Sequence, residues 1–288
     1  HDETLAEARA RNVRDALAED IGRCDWSGLL VPELERVRAH VVAREAAVLC
    51  GRDWFDDVVR AVDATARLDW RLAEGNRMAP DTPVLQIEAN ARALLAAERP
   101  ALNFLQLLSG TATATRRHVD AVAGASPLPE GCAILDTRKT IPGLRQAQKY
   151  AVRVGGGVNQ RLALWDGILI KENHIAAAGG IAQVLANARA LDAGVPIQIE
   201  VETLAQLREA LEYGARSVLL DNFDLARMCE AVTLNRSHAR PALLEASGSV
   251  ELAQLRDIAA TGVDRISIGR LTKDVKAVDF SLRVLERI

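Results

Sequence analysis

The strongest constraint on the fold is a series of short apolar runs in the second half of the chain, each followed directly by polar residues. The runs lie at residues 133–135, 168–170, 197–202, 218–220, 242–244 and 266–268. Helical patterns separate the later runs, at residues 181–191, 204–213, 225–232 and 252–260. Gly194, Gly214 and Gly262 follow three of these patterns, where glycines commonly end helices. Strands that alternate with helices in this way predict parallel β/α units.

The run at residues 197–202 helps to decide between an open doubly wound sheet and a barrel. A strand of an open sheet is covered by helices on both faces and is therefore nearly all apolar. In this run every second residue is polar, so that Gln198, Glu200 and Glu202 share one face. The interior of a barrel that opens at an active site accommodates such a face, and the sequence therefore favours a barrel.

The first part of the chain mixes helices and strands without this rhythm. Helical patterns cover residues 5–17, 54–61 and 91–108, and strand-like stretches cover residues 37–50 and 84–88. The change of pattern near residue 130 indicates a second domain, and a length of 288 residues allows for two.

Composition restricts the partners and the compartment. The chain is 49% hydrophobic with a net charge of −3, so it can form a core but lacks the basic excess of a nucleic-acid-binding domain. The four cysteines are far apart and form no C-x-x-C pair, which favours free thiols in a reducing cytosol over disulfides or a zinc site. No apolar run approaches the ~20 residues of a membrane span, and the start His1-Asp2-Glu3-Thr4 lacks the features of a signal peptide. We expect a soluble, cytoplasmic protein.

The polar residues after the apolar runs are candidates for chemistry, because β/α folds place their active sites at the C-terminal ends of the strands. They are Arg138, Lys139, Lys171, Glu200, Asp221, Ser247, Gly248, Gly269 and Arg270. The cations suit a multiply anionic substrate, and the carboxylates suit Mg²⁺ or a pair of ribose hydroxyls. Ser247-Gly248-Ser249 precedes a predicted helix and offers backbone N–H groups to a phosphate. Together these residues predict a phosphorylated sugar, a metal ion and a second anionic partner.

Each of these residues, taken singly, has a plainer interpretation. A lone lysine or arginine at a strand end is usually a solvated surface charge, and Glu200 alone could be half of a structural ion pair. Gly155-Gly156-Gly157 could be a turn, since no G-x-G-x-x-G pattern surrounds it. His174 alone is more typical of a structural hydrogen bond than of a proton shuttle. Only their convergence on one end of a barrel favours function.

Several motifs resemble the signature of the quinolinate phosphoribosyltransferase family. The central ones are residues 136–145 (Asp-Thr-Arg-Lys-Thr-Ile-Pro-Gly-Leu-Arg), 149–152, 155–157, 159–161 and 169–175 (Leu-Ile-Lys-Glu-Asn-His-Ile). Similar motifs precede them at residues 48–51, 98–104 and 108–113, and follow them at residues 200–202, 220–223 and 245–248. The resemblance therefore extends over most of the chain.

The resemblance implies a fold class and a reaction. The fold is α/β, with an N-terminal α/β sandwich domain, expected at residues 1–110 and joined by residues 275–288, and an incomplete parallel α/β barrel as catalytic domain at residues 111–274. The implied reaction joins quinolinate and phosphoribosyl pyrophosphate, with Mg²⁺, into nicotinate mononucleotide, pyrophosphate and CO2 in de novo NAD synthesis. The family pattern also implies a homodimer whose active sites are shared between subunits.

The resemblance further assigns roles to residues at matching positions. Arg138, Arg161 and Lys171 would hold the quinolinate carboxylates, together with Arg99 of the partner subunit. Glu200 and Asp221 would serve the phosphoribosyl donor and bind its metal ion, directly or through water. The expected catalytic residues are Lys139, Lys171, Glu200 and Asp221. The expected substrate-binding residues are Arg99, Thr137, Arg138, Lys139, Gln160, Arg161, Lys171, Ser247, Gly248, Ser249, Gly269 and Arg270.

The chain departs from the family pattern at one position inside the signature. The family usually has Asn-His-Arg where this chain has Asn159-Gln160-Arg161, and a glutamine donates hydrogen bonds but carries no charge. Two other functions stay open: a phosphoribosyltransferase of the same fold that uses a different acid, and a non-catalytic barrel that binds a phosphosugar. Paired cations for two adjacent carboxylates favour quinolinate.

Overall fold

The computed structural model describes residues 3–288, so His1 and Asp2 of the N-terminal stretch considered above lie outside the described residues. The helices are α1 (Leu5–Asp20), α2 (Arg52–Val62), α3 (Ala91–Val122), α4 (Arg145–Val154), α5 (Glu172–Ala178), α6 (Ile181–Ala190), α7 (Leu204–Glu212), α8 (Leu225–Ser237), α9 (Leu255–Ala260) and α10 (Arg270–Lys273). The strands are β1 (Arg36–Ala43), β2 (Ala47–Val48), β3 (Arg67–Trp70), β4 (Arg77–Met78), β5 (Thr82–Asn90), β6 (Ala133–Leu135), β7 (Ile168–Ile170), β8 (Ile197–Val201), β9 (Ser217–Asp221), β10 (Leu243–Ser247), β11 (Arg265–Ser267) and β12 (Phe280–Arg287). Short 3₁₀ turns lie at Gly28–Leu30 and Leu252–Gln254.

The chain divides into two compact units. The first, here the antiparallel unit, contains the chain up to Arg116 together with Thr140–Gly156 and Leu271–Ile288. The second, here the parallel unit, contains Arg117–Lys139 and Gly157–Arg270. None of the helices within residues 3–288 is long and apolar enough to cross a membrane.

The antiparallel unit is built on a four-stranded sheet in the order β12-β1-β5-β3. One face of this sheet is buried, because Val37, Ala39 and Val41 of β1 alternate with more exposed residues and lie opposite buried residues of β5. Helix α2 buries Trp54, Phe55, Val58 and Val59, which lie on one face at helical spacing. Strand β12, near the end of the chain, completes the edge beside β1.

Helix α3 is longer than the sequence predicted. The predicted end near residue 108 is wrong, because the helix continues to Val122 through Ser109, Gly110 and Thr111, which are poor helix formers. Tertiary contacts account for two of these residues. The Ser109 hydroxyl donates to the carbonyl oxygen of Cys50 and accepts from its N–H group at 3.1 and 3.0 Å. A Cβ atom at Gly110 would lie 2.3 Å from the carbonyl oxygen of Lys276.

The segment Thr140–Gly156, which the predicted boundaries assigned to the barrel domain, belongs to the antiparallel unit. Its helix α4 explains why, since Ala147 and Ala151 are fully buried in the same apolar cluster as Trp54. The rings of Tyr150 and Trp54 also lie 5.4 Å apart between their centroids. Packing therefore joins this helix to the first unit although its neighbours in sequence lie in the second.

The parallel unit contains the predicted six-stranded parallel sheet, in the order β6-β11-β10-β9-β8-β7. Beyond the free edge of β6, Val158 forms a parallel bridge to Leu135. Five strand spacings separate the Val158 segment from β8, which would be about 24 Å in a flat sheet. Gln160 nevertheless donates a hydrogen bond to Gln198 of β8 at 2.9 Å, so the sheet must curl. Within residues 3–288 no pairing joins β6 to β7, and the expected incomplete barrel is confirmed.

Candidate active site

A pocket of about 570 Å³ lies at the C-terminal ends of the parallel strands, entirely within the parallel unit. Its lining includes most of the predicted site residues: Thr137, Arg138, Lys139, Gln160, Arg161, Lys171, Glu200, Asp221, Ser247, Gly248 and Ser249. These residues come from segments far apart in the sequence. The parallel sheet brings them together because all of its strands end on the same side.

Three predicted residues are not part of this lining. Gly269 adjoins it, since a Cβ atom there would lie 2.9 Å from Cδ of Lys139. Arg270 donates to the carboxylate of Glu251 at 2.7 Å. Arg99 lies on α3 in the antiparallel unit, where its half-exposed guanidinium pairs with Glu98 at 2.7 Å.

The cations of the pocket follow β6, the Val158 bridge and β7. The guanidinium of Arg161 donates to the carbonyl oxygen of Gly167 at 3.0 Å, which fixes one side of it. Burial, and secondly the nearby charge of Arg138, lower the pKa of Arg161 from its usual value. Arg138 and Arg161 thus form a closely placed, partly desolvated pair of cations. Such a pair is suited to a substrate with two negative charges.

The two predicted carboxylates of the pocket come from adjacent strands, Glu200 from β8 and Asp221 from β9. Burial raises the pKa of Glu200, and the ammonium group of Lys171, 3.4 Å from its carboxylate, opposes this shift without cancelling it. The nearby charge of Asp221 also raises the pKa. Glu200 therefore forms the ion pair of the plainer interpretation, with Lys171, and also lines the pocket.

These carboxylates also bear on a metal site. Within residues 3–288 there is no group of three or more His, Cys, Asp and Glu side chains that could hold a metal ion by itself. Two hard carboxylates on neighbouring strands nevertheless fit Mg²⁺, which usually takes one or two protein carboxylates and completes its shell with water and substrate phosphates. The donor set is thus compatible with Mg²⁺ that arrives with a phosphorylated substrate.

The loop after β10 differs from the prediction. The sequence predicted a helix at residues 252–260, after Ser247-Gly248-Ser249, but residues 252–254 form a 3₁₀ turn and α9 has only six residues. An acidic residue, Glu251, stands at the start of this turn, and its N–H group donates to the side-chain oxygen of Gln254 at 2.9 Å. A phosphate site here must therefore be formed by the loop. Gly248 gives that loop its shape, with a φ of +145° and tight contact with Asn222.

Sequence reasoning missed four polar residues of the site. Asn222, Glu245 and Ser267 line the pocket, and Gln198 contacts two of its lining residues from below. Asn222 adjoins Asp221 in sequence and donates to its carboxylate at 3.0 Å. A signal for Glu245 was present, since it is an acidic residue that directly follows the apolar run at residues 242–244.

The signature residue His174 lies outside the lining of this pocket. Its Nδ1 atom accepts a hydrogen bond from the N–H group of Lys171 at 3.0 Å, at the start of α5. The structural interpretation of His174 is therefore confirmed. Gly155 is likewise a packing residue, since a Cβ atom there would lie 2.6 Å from the carbonyl oxygen of Ala112 on α3.

Both parts of the chain match models of one protein family. The family model of the quinolinate phosphoribosyl transferase C-terminal domain matches residues 111–283, and that of the N-terminal domain matches residues 25–109. The chain is 41% identical to nicotinate-nucleotide pyrophosphorylase (carboxylating) of Mycobacterium leprae, with 96% of this chain and 97% of that protein covered. It is 34% identical to quinolinate phosphoribosyltransferase (decarboxylating) 1 of Nicotiana glauca, with 94% of this chain and 81% of that protein covered.

Among solved structures, the nicotinate-nucleotide pyrophosphorylase from Francisella tularensis superposes with a TM-score of 0.91 at 40% sequence identity. The superposition covers 97% of this chain and 96% of that one. The structural likeness therefore includes both units. All residues that line the pocket lie within the range matched by the C-terminal family model.

Proposed function

The chain belongs to the quinolinate phosphoribosyl transferase family, and we propose that it makes nicotinate mononucleotide. The reaction transfers phosphoribosyl from phosphoribosyl pyrophosphate to quinolinate and releases pyrophosphate and CO2, as a step of de novo NAD synthesis. One observation carries the proposal beyond family membership: a single pocket joins the paired arginines to two carboxylates and a glycine-containing loop. A dicarboxylic acid and a phosphorylated sugar are the partners that these groups suit.

Quinolinate carries two adjacent carboxylates, and the cations of the pocket account for both. We assign Arg138, Arg161 and Lys171 to these carboxylates, since guanidinium groups bind carboxylates in a bidentate manner and an ammonium group supplies a point charge. Partial desolvation of Arg161, seen in its lowered pKa, strengthens its attraction for an anion because water screens the charge less. Thr137 supports this region, as its hydroxyl accepts from the N–H group of Lys139 at 3.1 Å.

The phosphoribosyl donor is assigned to the other groups of the site. We assign Lys139 to the pyrophosphate, and Ser247, Gly248 and Ser249, with Gly269 and Arg270 nearby, to the 5′-phosphate. Glu200 and Asp221 would hold Mg²⁺, directly or through water, together with the ribose hydroxyls. When bound, Mg²⁺ neutralises charge on the pyrophosphate leaving group.

The residues of the chain then act mainly through electrostatics and positioning. Cleavage of the anomeric C–O bond builds positive charge on the ribose, which the anionic Glu200 and Asp221 stabilise. The pyridine nitrogen of quinolinate is already a nucleophile, so the transfer needs no Ser–His type of activation. After transfer the ring nitrogen is cationic and stabilises the electron pair that stays on C2 when CO2 departs, and C2 then takes up a proton from solvent to give nicotinate mononucleotide. Decarboxylation therefore requires chiefly a fixed orientation and a dry pocket.

We further propose that the active enzyme is a homodimer in the cytoplasm. The family pattern places Arg99 of one subunit in the site of the other, and its half-exposed position on α3 leaves it accessible to a partner. The compartment is supported by the cysteines, because all four are free, with Cys50 and Cys132 buried and Cys229 exposed. Free thiols, including an exposed one, are typical of a reducing environment.

The test is release of CO2 from carboxyl-labelled quinolinate in the presence of phosphoribosyl pyrophosphate and Mg²⁺. We expect stoichiometric CO2 and nicotinate mononucleotide. Consumption of phosphoribosyl pyrophosphate with nicotinate but not with quinolinate would contradict the choice of acid. Tight binding of the phosphoribosyl donor without any CO2 release would instead indicate a phosphosugar-binding barrel.

A further inference from the structure

A buried polar network lies beneath the quinolinate end of the pocket, and the proposed reaction assigns it no step. Its centre is Glu245 on β10, whose side chain is fully buried. The carboxylate accepts from the amide groups of Gln198 and Gln160 at 2.9 and 3.0 Å and pairs with the guanidinium of Arg265 at 3.0 Å. Arg265 is held in turn by the hydroxyl of Ser217 at 2.8 Å. A buried charge with this many partners is costly to disturb, because loss of one partner leaves the others unsatisfied.

The network fixes the orientation of the Gln160 amide. An ionised carboxylate only accepts hydrogen bonds, so the NH2 group of Gln160 must face Glu245. The same NH2 group donates to the side-chain oxygen of Gln198 at 2.9 Å, and these two bonds direct both of its hydrogens to protein acceptors. The amide oxygen therefore points the other way, where it accepts the backbone N–H of Arg161 at 2.6 Å.

The backbone next to Arg161 is held from a second side by Asp136. This fully buried carboxylate accepts from the N–H group of Gln160 at 2.9 Å and from the amide of Asn159 at 2.5 Å. Two buried carboxylates, one from β10 and one following β6, thus hold the residues from which the Arg161 side chain extends. A shift of this backbone moves the guanidinium relative to Arg138.

We propose that Glu245 is a positioning residue of the acid-binding site, and that it acts through Gln160 on Arg161. The proposal rests on the proposed function, in which Arg161 binds quinolinate. It also changes the expectation for Gln160, which supports Arg161 from below and does not itself donate to the substrate. Glu245 and Gln160 then affect binding of the acid but not binding of the phosphoribosyl donor.

The primary variant is Glu245→Gln, which keeps the shape and removes the charge. Its amide can present N–H to Gln160, so the orientation of Gln160 is no longer enforced and the N–H of Arg161 loses a dependable acceptor. We expect the Kd for quinolinate to rise about tenfold, the effect of one hydrogen bond within a charged network. The Kd for phosphoribosyl pyrophosphate with Mg²⁺ should stay within about twofold. Isothermal titration calorimetry on the full-length protein measures both.

Gln160→Met provides the second variant, since methionine has a similar length but cannot hold Glu245 and the Arg161 N–H together. Because both substitutions act on the same contact, their effects on quinolinate binding should not add. The double variant should have a Kd for quinolinate no higher than that of the single variant with the higher Kd. The matched control is Asp264→Asn, because Asp264 also accepts from a residue of β10, the N–H group of Leu244, and lies outside the lining of the pocket. We expect this control to leave both Kd values unchanged.

Several outcomes would overturn the proposal. Equal weakening of both substrates would mean a merely structural role for Glu245, and an unchanged Kd for quinolinate would mean no role at the site. Additive effects would mean that Gln160 contacts the acid directly. If Glu245→Gln does not fold, Glu245→Asp, which keeps the charge but shortens its reach to Gln160, takes its place in the same comparisons. Failure of the proposed function is distinguished by the wild type, which would then neither bind quinolinate nor release CO2.

Discussion

The loop after β10 allows a prediction whose size can be worked out from the structure. Gly248 has a φ of +145°, a conformation that L-amino acids rarely adopt, and a Cβ atom added there would lie 2.7 Å from the side-chain oxygen of Asn222. Gly248→Ala therefore adds backbone strain and a steric clash at once. The clash matters because Asn222 and Gly248 both line the pocket, and Asn222 also donates to the carboxylate of Asp221.

The clash requires a movement of about 0.7 Å, the difference between 2.7 Å and an ordinary contact of 3.4 Å. Misplacement of a binding group by about 1 Å costs on the order of 10²-fold in rate, so we expect kcat/KM for phosphoribosyl pyrophosphate to fall ~10- to 100-fold. Strain of this kind costs about 1–3 kcal/mol of folding free energy. The Tm should fall by roughly 2–4 °C for each kcal/mol. Quinolinate binding should change little, since its assigned cations lie elsewhere in the pocket.

Gly180 offers a matched control in the same unit. It has a φ of +132°, but a Cβ atom there would meet nothing within 4 Å, and Gly180 does not line the pocket. Gly180→Ala thus adds strain without a clash, and we expect a lower Tm with unchanged kinetics. Steady-state kinetics and calorimetric unfolding of both variants distinguish the two effects. The reasoning is refuted if both variants lose donor affinity to the same extent, or if Gly248→Ala keeps the wild-type kcat/KM.

Further predictions concern the charged groups. Glu200→Gln and Asp221→Asn should each lower turnover by ~10²-fold or more, the effect of losing one electrostatic stabiliser, and leave quinolinate binding intact. Wild-type turnover in both variants would exclude this role. Because burial raises the pKa of Glu200, its charge destabilises the fold as pH rises through that pKa, so Glu200→Gln should raise the Tm at pH 7. The raised pKa also means that Glu200 becomes protonated above the usual carboxyl pKa of 4.5 as the pH is lowered. We therefore expect activity to start to fall at a higher pH than an ordinary carboxylate would give, and a pH–rate profile measures this. Arg99→Ala should abolish activity, and mixing it with Glu200→Gln should restore part of it in mixed dimers; no restoration would argue against shared sites.

Much of the parallel unit was predictable from sequence because its strands are short, aliphatic and separated by helices. The runs at residues 133–135 and 168–170 coincide with β6 and β7, and the other four strands overlap the predicted runs with ends that differ by at most three residues. Strand β8 carried the most information. Its alternation of polar and apolar residues predicted a polar interior, and Gln198 does contact residues across the interior of the curled sheet.

Contacts between segments distant in sequence explain where α3 and α4 differ from the predictions. Residues 109–111 read locally as the end of a helix, yet Ser109 finds its hydrogen-bond partner in Cys50 and Gly110 accommodates the backbone of Lys276. Helix α4 lies in the antiparallel unit, although the predicted boundaries placed it in the barrel domain, because its apolar face contacts residues of α2. Local propensity carries no information about such partners, which depend on how the chain returns to itself.

The buried network at Glu245 could have been found with one more step of the same strand logic. Successive residues of a strand face opposite sides of the sheet, so a residue two positions before a pocket residue faces the same interior one step deeper. Gln198 stands two positions before Glu200, Glu245 before Ser247, and Arg265 before Ser267. Each of the first-named residues is polar where an apolar residue would fill a barrel more simply, and each needs buried partners. The presence of polar residues at these positions on three strands therefore predicts that they contact one another. The contacts of Gln198 and Arg265 with Glu245 explain why a fully buried carboxylate is tolerated beneath the pocket.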